Sequence, residues 1–223
     1  QARRFDAEYF QPKYDEIMAA IKNYACGWDT QGNLLNIKDK NFTPKEKIQY
    51  KYIELANIEG NGEITGCTTA EGQELPTRAR RKVNEGDVIV SSIEGSLSSI
   101  AFIPDEYDGA LCSTGFYVVD SDAINSETLL VLLKTFVGQE QLKKGCSGTI
   151  LTAINKDELG KIVLPIIDDN IQEEIQQKIK ESSNLRKRSK HLLGCAKRAV
   201  EIAIEENEEE AKKWLKEEIR EIK

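Results

Sequence analysis

Histidine is almost absent from this sequence: His191 is the only one in 223 residues, and it lies in a strongly basic stretch. A Ser or Cys nucleophile paired with His, or a His-built metal site, therefore has little to draw on. The five cysteines (Cys26, Cys67, Cys112, Cys146, Cys195) are odd in number, scattered, and never spaced as C-x-x-C. That excludes the usual zinc sites and small disulfide frameworks. They read as small core or surface thiols, and Cys112, with no histidine near it in sequence, is a poor nucleophile. No run approaches the roughly eighteen apolar residues of a membrane span. The charged first ten residues lack a signal-peptide apolar region, so the chain reads as cytoplasmic, with no membrane contact. Phosphate cradles of the G-x-x-x-x-G-K-[ST] and G-x-G-x-x-G kinds are missing as well. So is any basic excess: 31 Lys and Arg against 38 Asp and Glu leave a net charge of -7, and contact with a polyanion has to be local. Histidine-based catalysis is nearly excluded, no metal site is expected, and the usual nucleotide cradles are missing.

With 39% hydrophobic residues there is enough apolar side chain for a core, and charge divides the chain near residues 165–169. Residues 1–168 carry 18 basic and 25 acidic side chains, whereas 169–223 carry 13 of each. Between Lys178 and Arg198 eight bases face the single acid Glu181, while Glu201 to Glu210 holds six acids and no base. Such a dipolar rod suits pairing with an inverted copy. No proline follows Pro165 and the only later glycine is Gly194, so residues 169–222 read as one helix, with Asp168 or Asp169 able to cap its start. Ile175, Ile179, Ser182, Leu185, Ser189, Leu192, Ala196, Ala199 and Ala203 follow one another in steps of three and four, the seam of a coiled coil. At full length the helix would run roughly 80 Å. It needs either a partner helix, most simply a second copy, or its own domain folded against it.

Residues 1–165 have a different rhythm. Residues 12–24, with a proline in the first turn, and 126–137 read as amphipathic helices. Short β-prone runs at 50–58, 88–93, 100–103, 116–119 and 162–166 are separated by Gly, Asn and Asp. The fold class expected is α+β: a strand-rich domain over 1–168, then a long coiled-coil helix over 169–223.

Two groups of residues stand out in the first part. Arg78, Arg80, Arg81 and Lys82 put four cations in five positions of an otherwise acidic domain. Arginine forks match phosphates and the guanine edge, although such a cluster also fits a solvated patch balancing nearby acids. If the stretch is extended, Arg78 and Arg80 share one side and Arg81 faces the other. The second group joins the hydroxyl-rich residues 91–99 and Ser113-Thr114 to Lys143, Lys144, Ser147 and Thr149. Small hydroxyls, glycine-freed amides and a lysine pair suit phosphate contact, and equally suit ordinary turns.

Arg4-Phe5-Asp6-Ala7-Glu8-Tyr9-Phe10-Gln11-Pro12-Lys13-Tyr14, with Tyr52-Ile53-Glu54-Leu55 after it, resembles the opening of a half of the specificity subunit of type I restriction-modification systems. The series continues through Leu75-Pro76, Ala79-Arg80, Gly86-Asp87-Val88, Ser92 with Gly95, Cys112-Ser113-Thr114-Gly115-Phe116 and Gly148-Thr149. It ends with residues 162–165, Gln172, Lys190-His191-Leu192-Leu193 and Ala196. The resemblance implies a non-catalytic subunit that reads double-stranded DNA through a target recognition domain, part of a bipartite target. It also implies a spacer helix that docks DNA methyltransferase subunits, with a restriction subunit joining the complex. S-adenosylmethionine, ATP and magnesium would then belong to those partners. The family's usual chain has two recognition domains and two helices; this one has one of each, which implies a half-subunit that dimerises through its helix. Glu94 also departs from the basic residue expected in the Ser-x-x-Gly loop, which counts against phosphate contact there. Two other readings fit the residues: the recognition domain of a fused type II adenine methyltransferase, and a coiled-coil protein-interaction module.

Overall fold

A computed structural model of the chain describes residues 7, 9–148 and 152–220. In chain order the elements are α1 (Pro12–Lys22), β1 (Trp28–Thr30), α2 (Gln31–Leu34), β2 (Asn36–Lys38), β3 (Gln49–Ile53), β4 (Thr68–Glu71), β5 (Ala79–Lys82), β6 (Val88–Ser91), β7 (Ile100–Phe102), β8 (Leu111–Ser113) and β9 (Phe116–Asp120). They continue with α3 (Ser126–Lys134), α4 (Phe136–Gly145), β10 (Cys146–Ser147), β11 (Ala153–Ile154), α5 (Lys156–Gly160), β12 (Val163–Pro165), α6 (Asp169–Glu205) and α7 (Glu208–Arg220). The chain divides into two compact units, Gln1–Gln172 and Glu173–Lys223. The class is α+β, with the strands in the first part and a long helix after them. Among the described residues no helix is long and apolar enough to cross a membrane.

Two four-stranded sheets, in the orders β2-β9-β6-β7 and β4-β3-β8-β5, build the first unit beside the two-stranded pairs β1-β12 and β10-β11. Alternation along β6 explains how they stack: Ile89 points one way and Val88 and Val90 the other, and all three are fully buried. Ile89 joins Ile53, Cys112, Phe116 and Val118 in a core shared by the two sheets. Val88 and Val90 pack instead with Val119, Leu129, Leu133, Leu142 and Leu159 beneath α3, α4 and α5. The result is three layers, sheet on sheet on helices. On the outer face of the second sheet Tyr52, Ala79 and Leu111 lie beneath Phe42, Tyr50 and Leu75.

An ion triad ties the first sheet to the turn before β6. The Lys38 ammonium is 2.6 Å from Asp87 and 2.6 Å from Asp120. Burial works against the charge on Lys38, but its bonds to Asp120 and Asp87 outweigh it and hold its pKa above the ordinary lysine value. Burial likewise pushes Asp120 up, and the Lys38 bond overrides it and holds the carboxyl below its ordinary value.

Several elements differ from the expectation. The helix expected over 126–137 is two: Thr135 stops α3, and its Oγ1 accepts the Gly138 N–H to begin α4. The run at 50–58 is a strand only as far as Ile53, after which Leu55–Asn57 turn in a 3-10 helix. The tail is not one helix. It breaks after Glu205, because Asn207 turns its side chain back to accept the Glu209 and Glu210 N–H groups and start α7. A run of glutamates then occupies the first turn of α7, where the helix dipole favours them. The unbroken part, α6, has 37 residues, about 55 Å. Asp168 accepts the Asn170 N–H at its start.

The seam also shifts along α6. Of its expected members Ile175 and Ile179 are half-buried, Leu185 and Leu192 are exposed at 60% and 36%, and Ala196 is exposed. Ala199 is buried and Ala203 half-buried, but Cys195 and Ile202, not Ala196 and Ala203, are the buried neighbours of Ala199. At this end of α6 the buried stripe keeps Ala199 but takes the residues one before Ala196 and Ala203, and Ala211 of α7 is buried as well.

Candidate nucleic-acid interface

Strand pairing in the second sheet brings three chain segments to one edge. β3 and β8 run parallel, with Ile53 opposite Cys112, so that the next residues, Glu54 and Ser113, emerge side by side. β5 runs antiparallel to β8, with Ala79 opposite Ser113, so the preceding residue, Arg78, leaves at the same edge. The Thr114 N–H closes the arrangement by donating to the Arg78 carbonyl at 2.8 Å. A cleft of about 550 Å³ opens here, lined by Glu54, Arg78, Ser92, Ser113, Thr114, Gly115 and Ala153, with Leu55, Ala56 and Ile93.

The walls are stiffened by backbone bonds. Both the N–H and the hydroxyl of Ser92 donate to the Gly115 carbonyl, each at 2.9 Å, and the Ser113 hydroxyl accepts the Gly115 N–H at 3.2 Å. Ile154 donates to the Ser92 carbonyl at 2.8 Å, which fastens β11 to the end of β6.

Among the described residues, Arg78 is the cation that lines this cleft. Its Nε donates to the Tyr52 hydroxyl at 3.2 Å, and its Nη2 approaches Glu54 Oε1 at 3.5 Å. Tyr52 and Glu54 are two residues apart on an extended chain and so share a face. Tyr52 is fully buried, whereas the Arg78 side chain is 59% exposed. The Tyr52 hydroxyl first, and then Glu54, hold the guanidinium above its already high ordinary pKa.

The rest of the cationic cluster disperses. The ladder between β5 and β8 slips between Ala79 and Arg81, a bulge that breaks the alternation on which the pairing of Arg78 with Arg80 depended. Arg80 turns to the Thr77 carbonyl at 3.0 Å, and Arg81 to the Asp39 carbonyl. Lys82 is exposed at the far end of β5. No two of the three arginines therefore share a partner.

Of the second group, Ser113 and Thr114 line the cleft, the former buried and the latter exposed. Lys143 and Lys144 end α4, and Lys144 stands over the Tyr9 and Tyr14 rings at 5.0 and 5.1 Å, in a separate cavity of about 210 Å³. Ser147 is exposed on β10, whose neighbour β11 supplies Ala153 to the cleft. Thr149 lies outside the described residues, as do residues 4–6 and Glu8 of the opening segment. Cys112 sits under the sheet, where burial pushes its thiol pKa far up, and it does not reach the cleft. Among the described residues no group of three or more His, Cys, Asp or Glu is placed to hold a metal ion.

The family model of the type I restriction modification DNA specificity domain matches residues 27–192, a span that contains the whole cleft. The chain belongs to that family. No curated protein matches the sequence. Among solved structures, the specificity domain is similar to the HsdS subunit from Thermoanaerobacter tengcongensis, at 24% identity and a TM-score of 0.61 over 79% of this chain and 46% of that one. It is similar at 22% identity and a TM-score of 0.61, over 79% and 46%, to a chain from work on the assembly and conformational transition of the type I R-M system. The type I S subunit from M. genitalium follows at 14% identity and a TM-score of 0.53, over 81% and 45%. At these identities the likeness is one of fold, and the chain spans about half the length of the solved structures it matches.

Within the specificity domain, sequence reasoning had not placed Tyr52 and Glu54 at the site, whereas Ser92 belonged to the hydroxyl-rich residues 91–99 and Gly115 to the Cys112–Phe116 series. The alternation of Tyr50, Tyr52 and Glu54 was a signal that one face of β3 ends in a carboxylate. Nothing local indicated that Arg78 would meet it.

Proposed function

We propose that the chain is the sequence-reading component of a type I restriction-modification enzyme and contacts double-stranded DNA through the cleft at the end of β3 and β8. The observation that carries this reading is the family match, which covers that cleft and continues along α6 to residue 192. In this reading Arg78, Ser113 and Thr114 meet the DNA inside the cleft. Arg80, Arg81, Lys82, Lys143, Lys144, Ser147 and Thr149 contact phosphates elsewhere along the duplex. The chain performs no chemistry. Methyltransferase subunits supply S-adenosylmethionine, and a restriction subunit supplies ATP and magnesium, in the cytoplasm. The matching family is that of type I systems, which weighs against the fused type II methyltransferase and the plain interaction module.

Residues 1–168 serve in this reading as the recognition domain and 169–223 as spacer and dimerisation element. Two copies pair through α6 to restore a bipartite reader, and the exposure of Leu185 and Leu192 on that helix supports the pairing. The test is methylation of a duplex library by the full chain assembled with its methyltransferase subunits. One two-part motif is expected, and Leu185→Asp with Leu192→Asp should give a monomer by sedimentation and abolish motif methylation. Methylation without sequence preference would refute the recognition role, and a double variant that stays dimeric at micromolar concentration would refute the seam.

A further inference from the structure

We propose that Arg78 and Glu54 together read one G·C base pair in a fixed orientation, Arg78 on the guanine and Glu54 on the cytosine, an inference that rests on the DNA-reading role proposed above. A guanidinium has two forks: a side-on fork formed by Nε and Nη2, and an end-on fork formed by Nη1 and Nη2. Tyr52 and Glu54 occupy the side-on fork, at 3.2 and 3.5 Å. The end-on fork has no partner among the described residues, and the side chain is exposed at the cleft. Arg78 is thus held by its near side with its far side presented, so little rotamer freedom remains to be lost on binding.

Glu54 Oε1 lies beside Nη2, so the edge offered outward reads, in order, donor (Nη1), donor (Nη2), acceptor (Oε1). The major-groove edge of a G·C pair reads acceptor (N7), acceptor (O6), donor (N4–H), its complement position by position. A C·G pair presents the reverse order. An A·T or T·A pair places the adenine N6 donor in the middle, opposite Nη2, and leaves two donors facing each other. A lone arginine selects guanine; the adjoining carboxylate adds a demand on the partner base and repels a phosphate that would otherwise take the same fork. Tyr52 is a positioning residue, because its buried hydroxyl accepts from Nε and fixes the plane of the guanidinium.

The experiment uses the full chain assembled with its methyltransferase subunits, acting on duplexes randomised across the half-site, with the methylated motif read by sequencing. The unaltered complex is expected to require a G·C pair at one position. Arg78→Ala and Glu54→Ala should each relax that same position, discrimination falling on the order of tenfold to a hundredfold, while the rest of the motif holds and certifies the fold. Arg78→Lys keeps the charge but not the fork and should relax it too. Tyr52→Phe should relax that position alone and partially. The proposal is overturned by an unchanged motif in the Arg78 or Glu54 variant, or by the two relaxing different positions. It is equally overturned by a sequence-independent loss in Arg78→Ala that Arg78→Lys restores, the mark of a phosphate contact. A parent complex with no sequence preference would instead bring down the recognition role itself, before any variant is compared.

Discussion

Replacing Lys38 with Met should expose how much of the first unit hangs on a single ion triad. Met keeps most of the aliphatic bulk and removes the ammonium, leaving Asp87 without its nearest cation. The Asp87 side chain is only 2% exposed, with one oxygen 2.6 Å from Lys38 and the other accepting the Asn84 N–H at 2.9 Å. Stranding one charge of a fully enclosed pair costs about 3–5 kcal/mol. Here Lys38 is 36% exposed and Asp120 34%, so water screens part of the site and the expectation is about 2–3 kcal/mol. Asp120→Asn, at the wetter end, should cost about 1 kcal/mol or less. Asp87→Asn added to Lys38→Met should recover part of the loss, because no buried charge then remains unpaired. The assay is equilibrium urea unfolding with hydrogen exchange followed at the β6 and β9 amides. The pH dependence is set by the two shifted groups. The contribution of Asp120, whose pKa lies below 3.8, is present at neutral pH and fades as pH falls through that lowered value. That of Lys38, whose pKa lies above 10.5, is complete below 10.5 and fades as pH rises through the raised value. The gap between parent and Lys38→Met should therefore be widest between those limits and close at both extremes. A loss below about 1 kcal/mol at neutral pH, or a double variant no better than the single, would refute the reasoning.

Two further outcomes follow from packing. Gly138→Ala should cost about 1–3 kcal/mol by thermal or urea unfolding, because a Cβ there meets the Leu132 carbonyl oxygen and the Leu133 backbone. Gly66→Ala, with nothing within 4 Å, should change stability by no more than about 0.5 kcal/mol. In pulsed alkylation read by mass spectrometry, exposed Cys26 should label first, whereas Cys112 and Cys146, both buried, should stay protected until the unit unfolds. Rapid native labelling of Cys112 would contradict its place under the sheet.

Much of the fold was visible in local patterns, and most of the site was not. The helix at Pro12–Lys22 follows from its proline and the spacing of Tyr14, Ile17 and Ile21. The strands around Val88 and Phe116 follow from short β-branched and aromatic runs between turn residues. Thr135 and Asn207 were the failures of helix reading. Each lies in a helix-compatible sequence and ends a helix only because its side chain captures the next turn's N–H groups, a competition that apolar spacing does not register. The cleft depends on contacts that periodicity cannot express. Parallel pairing of β3 with β8 joins segments far apart in the chain, and the slip between Ala79 and Arg81 sends Arg80 away from Arg78. The cationic cluster was visible as composition; which of its members faces the cleft is a consequence of register.

The parallel pairing of β3 with β8 also bears on when the chain becomes competent. Glu54, Arg78, Ser92, Ser113 and Ala153 reach the cleft from five separate stretches spread over about a hundred residues. No short segment can preform any useful part of the edge. Loop-closure entropy is spent before such distant strands reward it, so contacts of this kind form late and slowly. During synthesis, a chain halted before β11 emerges would hold most of the Glu54 and Arg78 edge but lack the wall fastened to Ser92. Selectivity should accordingly arrive as one of the last events of folding, and a partly folded copy should be blind to sequence before it is visibly unfolded.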